Sequence, residues 1–141
     1  MHHFASHPFF KQLLSLHLPH EDFAVAGSGP LFARGLIDKL GDVDVIARRG
    51  AWKIAVEHGC PSPAPYYAVQ MVELFDKNVQ ILDGWFPTIW NVDDLIDGAD
   101  LIDSVRFVSL EVVRRTKETM GRPGDIVHLQ VIDKYLSRGL K

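Results

Sequence analysis

Between Phe23 and Ala47 the chain reads FAVAGSGPLFARGLIDKLGDVDVIA, and this stretch limits the possible folds more than any other. Phe23 to Ala26 is a short apolar run stopped by Gly27, the pattern of a buried strand. Pro30 occupies a favoured first helical position, so "PLFARGLIDKL" reads as a helix running toward Gly41. "DVDVIA" then alternates. On a strand of period two it sets Asp42 and Asp44 on one face and Val43 and Val45 on the other. Thirteen residues separate Ser28 from Asp42, and a helix in that interval brings the ends of the two strands side by side.

The flanking segments extend the pattern. "HPFFKQLLSLHLPH" spaces its apolar residues helically, with Pro8 near the start and Pro19 closing it. "GAWKIAVEHG" reads as a short helix stopped at Gly59. "CPSPAPYY" holds three prolines in five residues and reads as a surface loop. "VELF-DKN-VQILDGW" is two β-rich runs around a polar turn, a hairpin. "NVDDLIDGADLI" is helix-like and rich in carboxylates, and a short "VRFVSL" follows it. Two closing helices are expected: "LEVVRRTKETMG", capped by Ser109 and stopped by Gly121, and "DIVHLQVIDKYLSRG". The predicted fold is a single α/β (α+β) domain over residues 1–141, a small mixed β-sheet with helices packed on it. Its parts are an N-terminal helix within 1–20, a sheet core over 23–90 and C-terminal helices over 93–141.

Composition excludes several classes of function. With 141 residues there is room for one core. The net charge of −3 gives no global basic field for DNA or an anionic membrane. No apolar run approaches the ~20 residues that span a bilayer. The N-terminus lacks a signal-peptide pattern, and a single cysteine, Cys60, makes no internal disulfide. A cytoplasmic location is expected.

Two features carry chemistry. Gly27, Ser28 and Gly29 end a strand before a helix, where glycine lets backbone approach a ligand and helix N–H groups suit phosphate. A tight strand-to-helix turn uses the same residues. Asp42 and Asp44 are like charges at i and i+2 on one face, which repel and are costly to bury. A divalent cation removes that penalty, and Mg²⁺ prefers carboxylate oxygens with phosphate and water. A solvated strand edge is the simpler account of Asp-x-Asp alone.

Taken together, the two features resemble the nucleotidyltransferase superfamily with the polymerase-β-like fold. The resemblance rests on Ala26-Gly27-Ser28 and, after a spacer of similar length, Asp42-Val43-Asp44-Val45. It extends through the hairpin to "LEVVRRTKETMGRPGDIVHLQVIDKYL", similar to the closing element of small stand-alone members. The resemblance implies a Mg²⁺-dependent transfer of a nucleoside monophosphate from a nucleoside triphosphate, ATP among the candidates, to an acceptor that is a small molecule, a protein or RNA. Asp42 and Asp44 would be catalytic metal ligands. Gly27, Ser28, Gly29, Lys117 and Arg122 would bind the nucleotide, and Arg122 would pair with phosphate or with Asp125.

The chain departs from the family pattern twice. The third acidic position falls at Gln80, which has no charge to serve as a base or ligand. Asp83 is the catalytic candidate nearest along the chain, although its parity on an ideal strand is opposite; Glu73 is the candidate in another hairpin register. Gly124 stands where a lysine is usual before Asp125. The alternative function is therefore a catalytically degenerate nucleotide-binding or partner-binding module of the same fold, such as a toxin–antitoxin component. Elsewhere, the spacings of His2, His3, His7, His17 and His20 match no zinc pattern. Trp85, Phe86 and Trp90 could form a base-stacking platform near the hairpin but are expected to close a core, and the aspartates from Asp93 to Asp103 to form a solvated face. Arg48, Arg49 and Lys53 are read as a basic rim or a strand end in water.

Overall fold

A computed structural model describes residues 3–65 and 68–139; His2 and the two tyrosines of the proline-rich loop lie outside this range. The architecture is built around strand β1 (Phe23–Ala26), every residue of which is buried. A strand covered on both faces needs a continuous apolar run rather than an alternating one, and Phe-Ala-Val-Ala supplies it.

β1 pairs antiparallel with β2 (Val43–Ala47), and Ala26 lies opposite Asp44. A short β3 (Ser62–Pro63) is followed by the hairpin β4 (Gln70–Leu74) and β5 (Val79–Leu82). β5 runs parallel to β2 with Gln80 beside Asp44, and antiparallel to β4 with Gln80 beside Glu73. On the other side of β1 lie β7 (Val105–Phe107), parallel to it, and β6 (Asp100–Ile102) at the edge. The result is a mixed seven-stranded sheet in the order β3-β4-β5-β2-β1-β7-β6, within one small domain.

Helices cover both faces. α1 (Pro8–Leu14) and α3 (Arg49–His58) accompany the cluster that contains Phe10, Val25, Val45, Ile81 and Phe107. Phe4 meets Phe10 and Phe107 edge-on, each at a centroid distance of 5.1 Å. The opposite cluster holds Ala26, Ile46, Leu82, Trp85, Val113 and Ile132. It is covered by α4 (Val92–Asp97), α5 (Leu110–Met120) and α6 (Pro123–Gly139). Each large side chain wholly removed from water, such as Phe10 or Ile132, contributes about 1.5–3 kcal/mol.

Local signals placed most helix starts. α1, however, stops at Leu14 with Ser15 as its cap, so Pro19 does not close it and the expected N-terminal helix within 1–20 is shorter. His7 accepts from Phe9 N–H before Pro8, Ser109 accepts from Val112 N–H, and Gly121 ends α5 in the left-handed region. The expected helix toward Gly41 is much shorter. α2 spans only Gly29–Ala33. Gly35, at φ +73°, stops it with paired bonds from Gly35 N–H to Phe32 and from Leu36 N–H to Leu31, a Schellman closure. The carboxylate-rich segment also divides. α4 ends before Gly98, and Asp100–Ile102 enters the sheet, so the sheet draws on residues past the expected core of 23–90.

The acidic run is not simply a solvated face. Arg48 binds Asp93 and Asp97, each at 2.8 Å, and lies 3.4 Å from Asp22. It also donates to Glu21 C=O at 2.9 Å. This guanidinium joins the end of β2 to the turn before β1 and to α4. Its proton is held more firmly than usual, chiefly through the hydrogen bond to Asp97. Arg34 pairs with Asp100 at 2.6 Å and His3 pairs with Asp103. Among the described residues, no helix is long and apolar enough to cross a membrane.

Candidate functional site: a cleft between acidic strands and a basic helix end

Alternation along β2 places Asp44 and Ile46 on the sheet face covered by α4, α5 and α6. Ile46 is in the apolar cluster there, whereas Asp44, nearer the start of the strand, is outside it and faces an opening. A cleft of about 320 Å³ opens at this point, lined by Gly27, Ser28, Gly41, Asp42, Asp44, Gln80, Trp85, Thr116, Lys117, Met120 and Arg122. That volume lies in the range of small-molecule sites, roughly 300–1,000 Å³.

Gly27 sits at φ +67° directly against Asp44, and a Cβ there would stand 2.5 Å from Asp44 Oδ2. Both the left-handed backbone and the close approach therefore call for glycine. The next residue, Ser28, precedes α2, yet its hydroxyl makes no helix-capping bond. It accepts instead from Lys117 Nζ at 3.1 Å. α2 has only five residues, so the helix dipole expected behind Ser28 is short and contributes little.

Lys117 extends from α5 and is almost wholly buried, as is Asp125, the residue it meets at 3.3 Å. Arg122, on the turn between α5 and α6, grips the same carboxylate. Its Nε lies 2.7 Å from Asp125 Oδ2 and its Nη2 lies 3.2 Å from Oδ1, and its backbone N–H donates to Oδ2 as well. Burial pushes the Asp125 carboxyl up, but the side-chain and backbone bonds from Arg122 and the charge of Lys117 outweigh it and hold the group below its ordinary value. Burial moves Lys117 the other way, lowering its affinity for a proton despite Asp125. Two cationic groups are thus anchored from behind by one carboxylate.

Across the cleft the acids lack such support. Burial raises Asp42, with Arg122 opposing. Asp44 keeps an opening toward the cleft while protein surrounds it elsewhere. Burial first, and then the charge of Asp42, push its carboxyl up to about 7 against the pull of Arg122 and Lys117. The fold therefore holds a pair of acids whose mutual repulsion is not fully compensated. Two carboxylates with room for phosphate and water oxygens suit a hard divalent cation. Among the described residues, no group of three or more His, Cys, Asp or Glu side chains is placed to hold a metal, so protein ligation would stop at two groups.

Of the residues singled out in the sequence, Gly27, Ser28, Asp42, Asp44, Gln80, Lys117 and Arg122 meet in this cleft. Gly29 does not line it. Gly29 is buried, and any side chain there would collide with Val25 Cγ1, so its role is packing. Asp83 is also elsewhere. It accepts from Gln70 N–H at 2.8 Å and lines a different cavity with Arg48, Arg49 and Trp52. Gln80 takes the place beside Asp44, and its Nε2 donates to Glu73 Oε2 at 3.3 Å.

Sequence reasoning missed Thr116 and favoured a core position for Trp85 over a base-stacking one. Trp85 is indeed buried, at 2% exposure, but it forms the cleft floor with its Nε1 donating to Thr116 Oγ1 at 3.1 Å. Thr116 directly precedes Lys117, and that adjacency was the available signal. His128, half-buried on α6, has an Nδ1 with no protein partner among the described residues. Burial and the nearby Lys117 lower its proton affinity. No protein-family model, curated protein sequence or solved structure matches this chain.

Proposed function

We propose that the chain is a small nucleotidyltransferase-fold protein that binds a nucleoside triphosphate with Mg²⁺ and transfers the nucleoside monophosphate to an acceptor. The observation that carries this reading is the convergence of Asp44, Gly27, Ser28 and Lys117. A carboxylate pair and an anchored amine and guanidinium face each other across one cleft, one side suited to a cation and the other to phosphate.

On this reading Asp42 and Asp44 hold the metal. When bound, Mg²⁺ neutralises triphosphate charge and orients it for in-line displacement. Lys117 and Arg122 hold phosphate oxygens from the opposite wall, pre-positioned by Asp125 rather than free in water. Ser28 shares its hydroxyl between Lys117 and phosphate. Gly27 keeps the loop low enough for the triphosphate to reach Asp44.

A second reading is favoured by one residue. Gln80 stands beside Asp44 where a third carboxylate would complete the acidic set, which fits a module that binds nucleotide or a protein partner without transferring. The test has two stages. ATP, GTP, CTP and UTP are titrated with and without Mg²⁺ against wild type, Asp42→Asn and Asp44→Asn. Metal-dependent binding lost in both variants supports transferase or nucleotide-binding module alike, and no binding of any nucleotide by wild type overturns both of these and leaves only partner binding. Transfer of labelled nucleotide to protein, RNA or small molecules of a cell extract then separates transferase from binding module.

A further inference from the structure

Ala26, Asp44, Gln80 and Glu73 form one row across β1, β2, β5 and β4 in register. Residues directly opposite in a sheet project to the same face, so Glu73 shares the face of Asp44 two strands away. It is exposed, and Gln80 links it to the cleft by the 3.3 Å bond to its Oε2. β3 pairs only with Gln70 and Met71 of β4, so the outer edge of β4 at Glu73 is not covered by β3. We propose that Glu73 is the acceptor-side base of the transfer and that Gln80 is its positioning residue. A hydroxyl-bearing acceptor would enter over the open end of β4. The inference rests on the nucleotidyltransferase reading of the same cleft.

The chemistry needs a group in this place. An alcohol attacking phosphorus must lose its proton, and Asp42 and Asp44 are committed to charge compensation at the triphosphate. Gln80 has no basic oxygen. Its amide, however, donates to one Glu73 oxygen and so fixes the carboxylate's orientation, leaving the second oxygen to accept. In the step, the acceptor O–H gives its proton to Glu73 as the oxygen forms a bond to the α-phosphorus. The bond from that phosphorus to the bridging oxygen breaks, and pyrophosphate leaves with its electron pair. Glu73 then returns the proton to water. Glu73 touches the acceptor and Gln80 acts only through Glu73.

The test needs no knowledge of the natural acceptor, because water and glycerol serve as probe hydroxyls. Pyrophosphate release from each Mg²⁺-nucleoside triphosphate is measured beside nucleotide affinity, with circular dichroism to confirm folding. Glu73→Gln is expected to bind the nucleotide within twofold of wild type and to release pyrophosphate at least ~100-fold more slowly. Gln80→Ala should give a smaller loss at unchanged affinity. Gln80→Glu placed in the Glu73→Gln background should recover at least tenfold. Release by Glu73→Gln within threefold of wild type overturns the proposal, as does a loss of release matched by an equal loss of affinity. Wild type that binds nucleotide but releases none to either hydroxyl overturns the base role while leaving the binding site standing. Wild type that binds no nucleotide overturns the reading of the cleft itself.

Discussion

Lys117 Nζ lies 3.1 Å from Ser28 Oγ, joining two residues 89 positions apart. The contact ties α5 to the turn after β1 and makes the opposite walls of the cleft one unit. Because Lys117 is buried beside Asp125 and Ser28, its removal should act on both stability and binding. Lys117→Met leaves Asp125 paired with Arg122, so the expected loss of folding stability is about 1–3 kcal/mol rather than that of an orphaned charge. Urea unfolding measures it. Nucleotide affinity should fall about tenfold or more, and Lys117→Arg should recover stability only partly, since a planar fork does not fit a point-charge site.

Asp44 predicts an inverted pH response. Its carboxyl is raised from 3.8 to about 7, so between those values the folded chain holds a proton that the unfolded chain has released. Stability from this group is therefore full below about pH 4, declines as pH rises toward 7 and levels off above it. The slope is at most about 1.4 kcal/mol per pH unit. Asp42, shifted in the same direction, adds to it. Asp44→Asn should flatten the decline and raise the melting temperature of the ligand-free chain at pH 8, while abolishing Mg²⁺-dependent nucleotide binding. Thermal melts from pH 5 to 8 with both proteins check this, and a variant less stable than wild type at pH 8 would refute it.

Gly27 and Gly35 provide a controlled comparison. Both have positive φ, but a side chain at Gly35 meets nothing within 4 Å, whereas one at Gly27 meets Asp44. Gly35→Ala should cost about 1 kcal/mol, the left-handed backbone penalty alone. Gly27→Ala should cost roughly 2 kcal/mol or more, since the collision adds to that penalty. It should also displace Asp44 and weaken nucleotide binding, whereas Gly35→Ala leaves binding intact. Denaturant midpoints and nucleotide titrations measured together decide the comparison.

Arg48 should matter to the fold and not to the cleft. It unites Asp22, Asp93 and Asp97, far along β2 from Asp44. Arg48→Met should loosen α4 and the turn before β1, lowering the melting temperature and speeding amide exchange in α4 ahead of the central strands. Asp97→Asn should do far less, because that carboxylate is exposed and Arg48 keeps its other partners. Equal effects from the two variants would contradict the hub.

The legible parts of the sequence were those whose signals are local. The stop at Gly27, the period-two pattern of Asp42 to Ala47, the hairpin and the cap at Ser109 all depend on neighbours a few positions away, and the fold keeps them. The sequence reading makes α2 too long because Pro30 marks a genuine helix start and Gly41 only mimics a stop, while the decisive stop, Gly35, sits between them. β6 and β7 are three residues each and exist because β1 offers a partner edge, which no short window reveals. The row Asp44, Gln80, Glu73, of which the first two line the cleft, follows once the hairpin register and the parallel pairing of β5 are both known. Only the first of these is written in adjacent residues. The binding of Arg48 to the acidic run was invisible for the same reason: its partners lie 26 to 49 positions away.

The indole of Trp85 lies in the floor of the cleft, held to the residue next to Lys117. With Trp52 and Trp90 changed to phenylalanine, its emission becomes a built-in optical gauge. Any shift of α5 that accompanies occupancy changes the polarity around the ring, so the unlabelled protein can signal when its cleft fills.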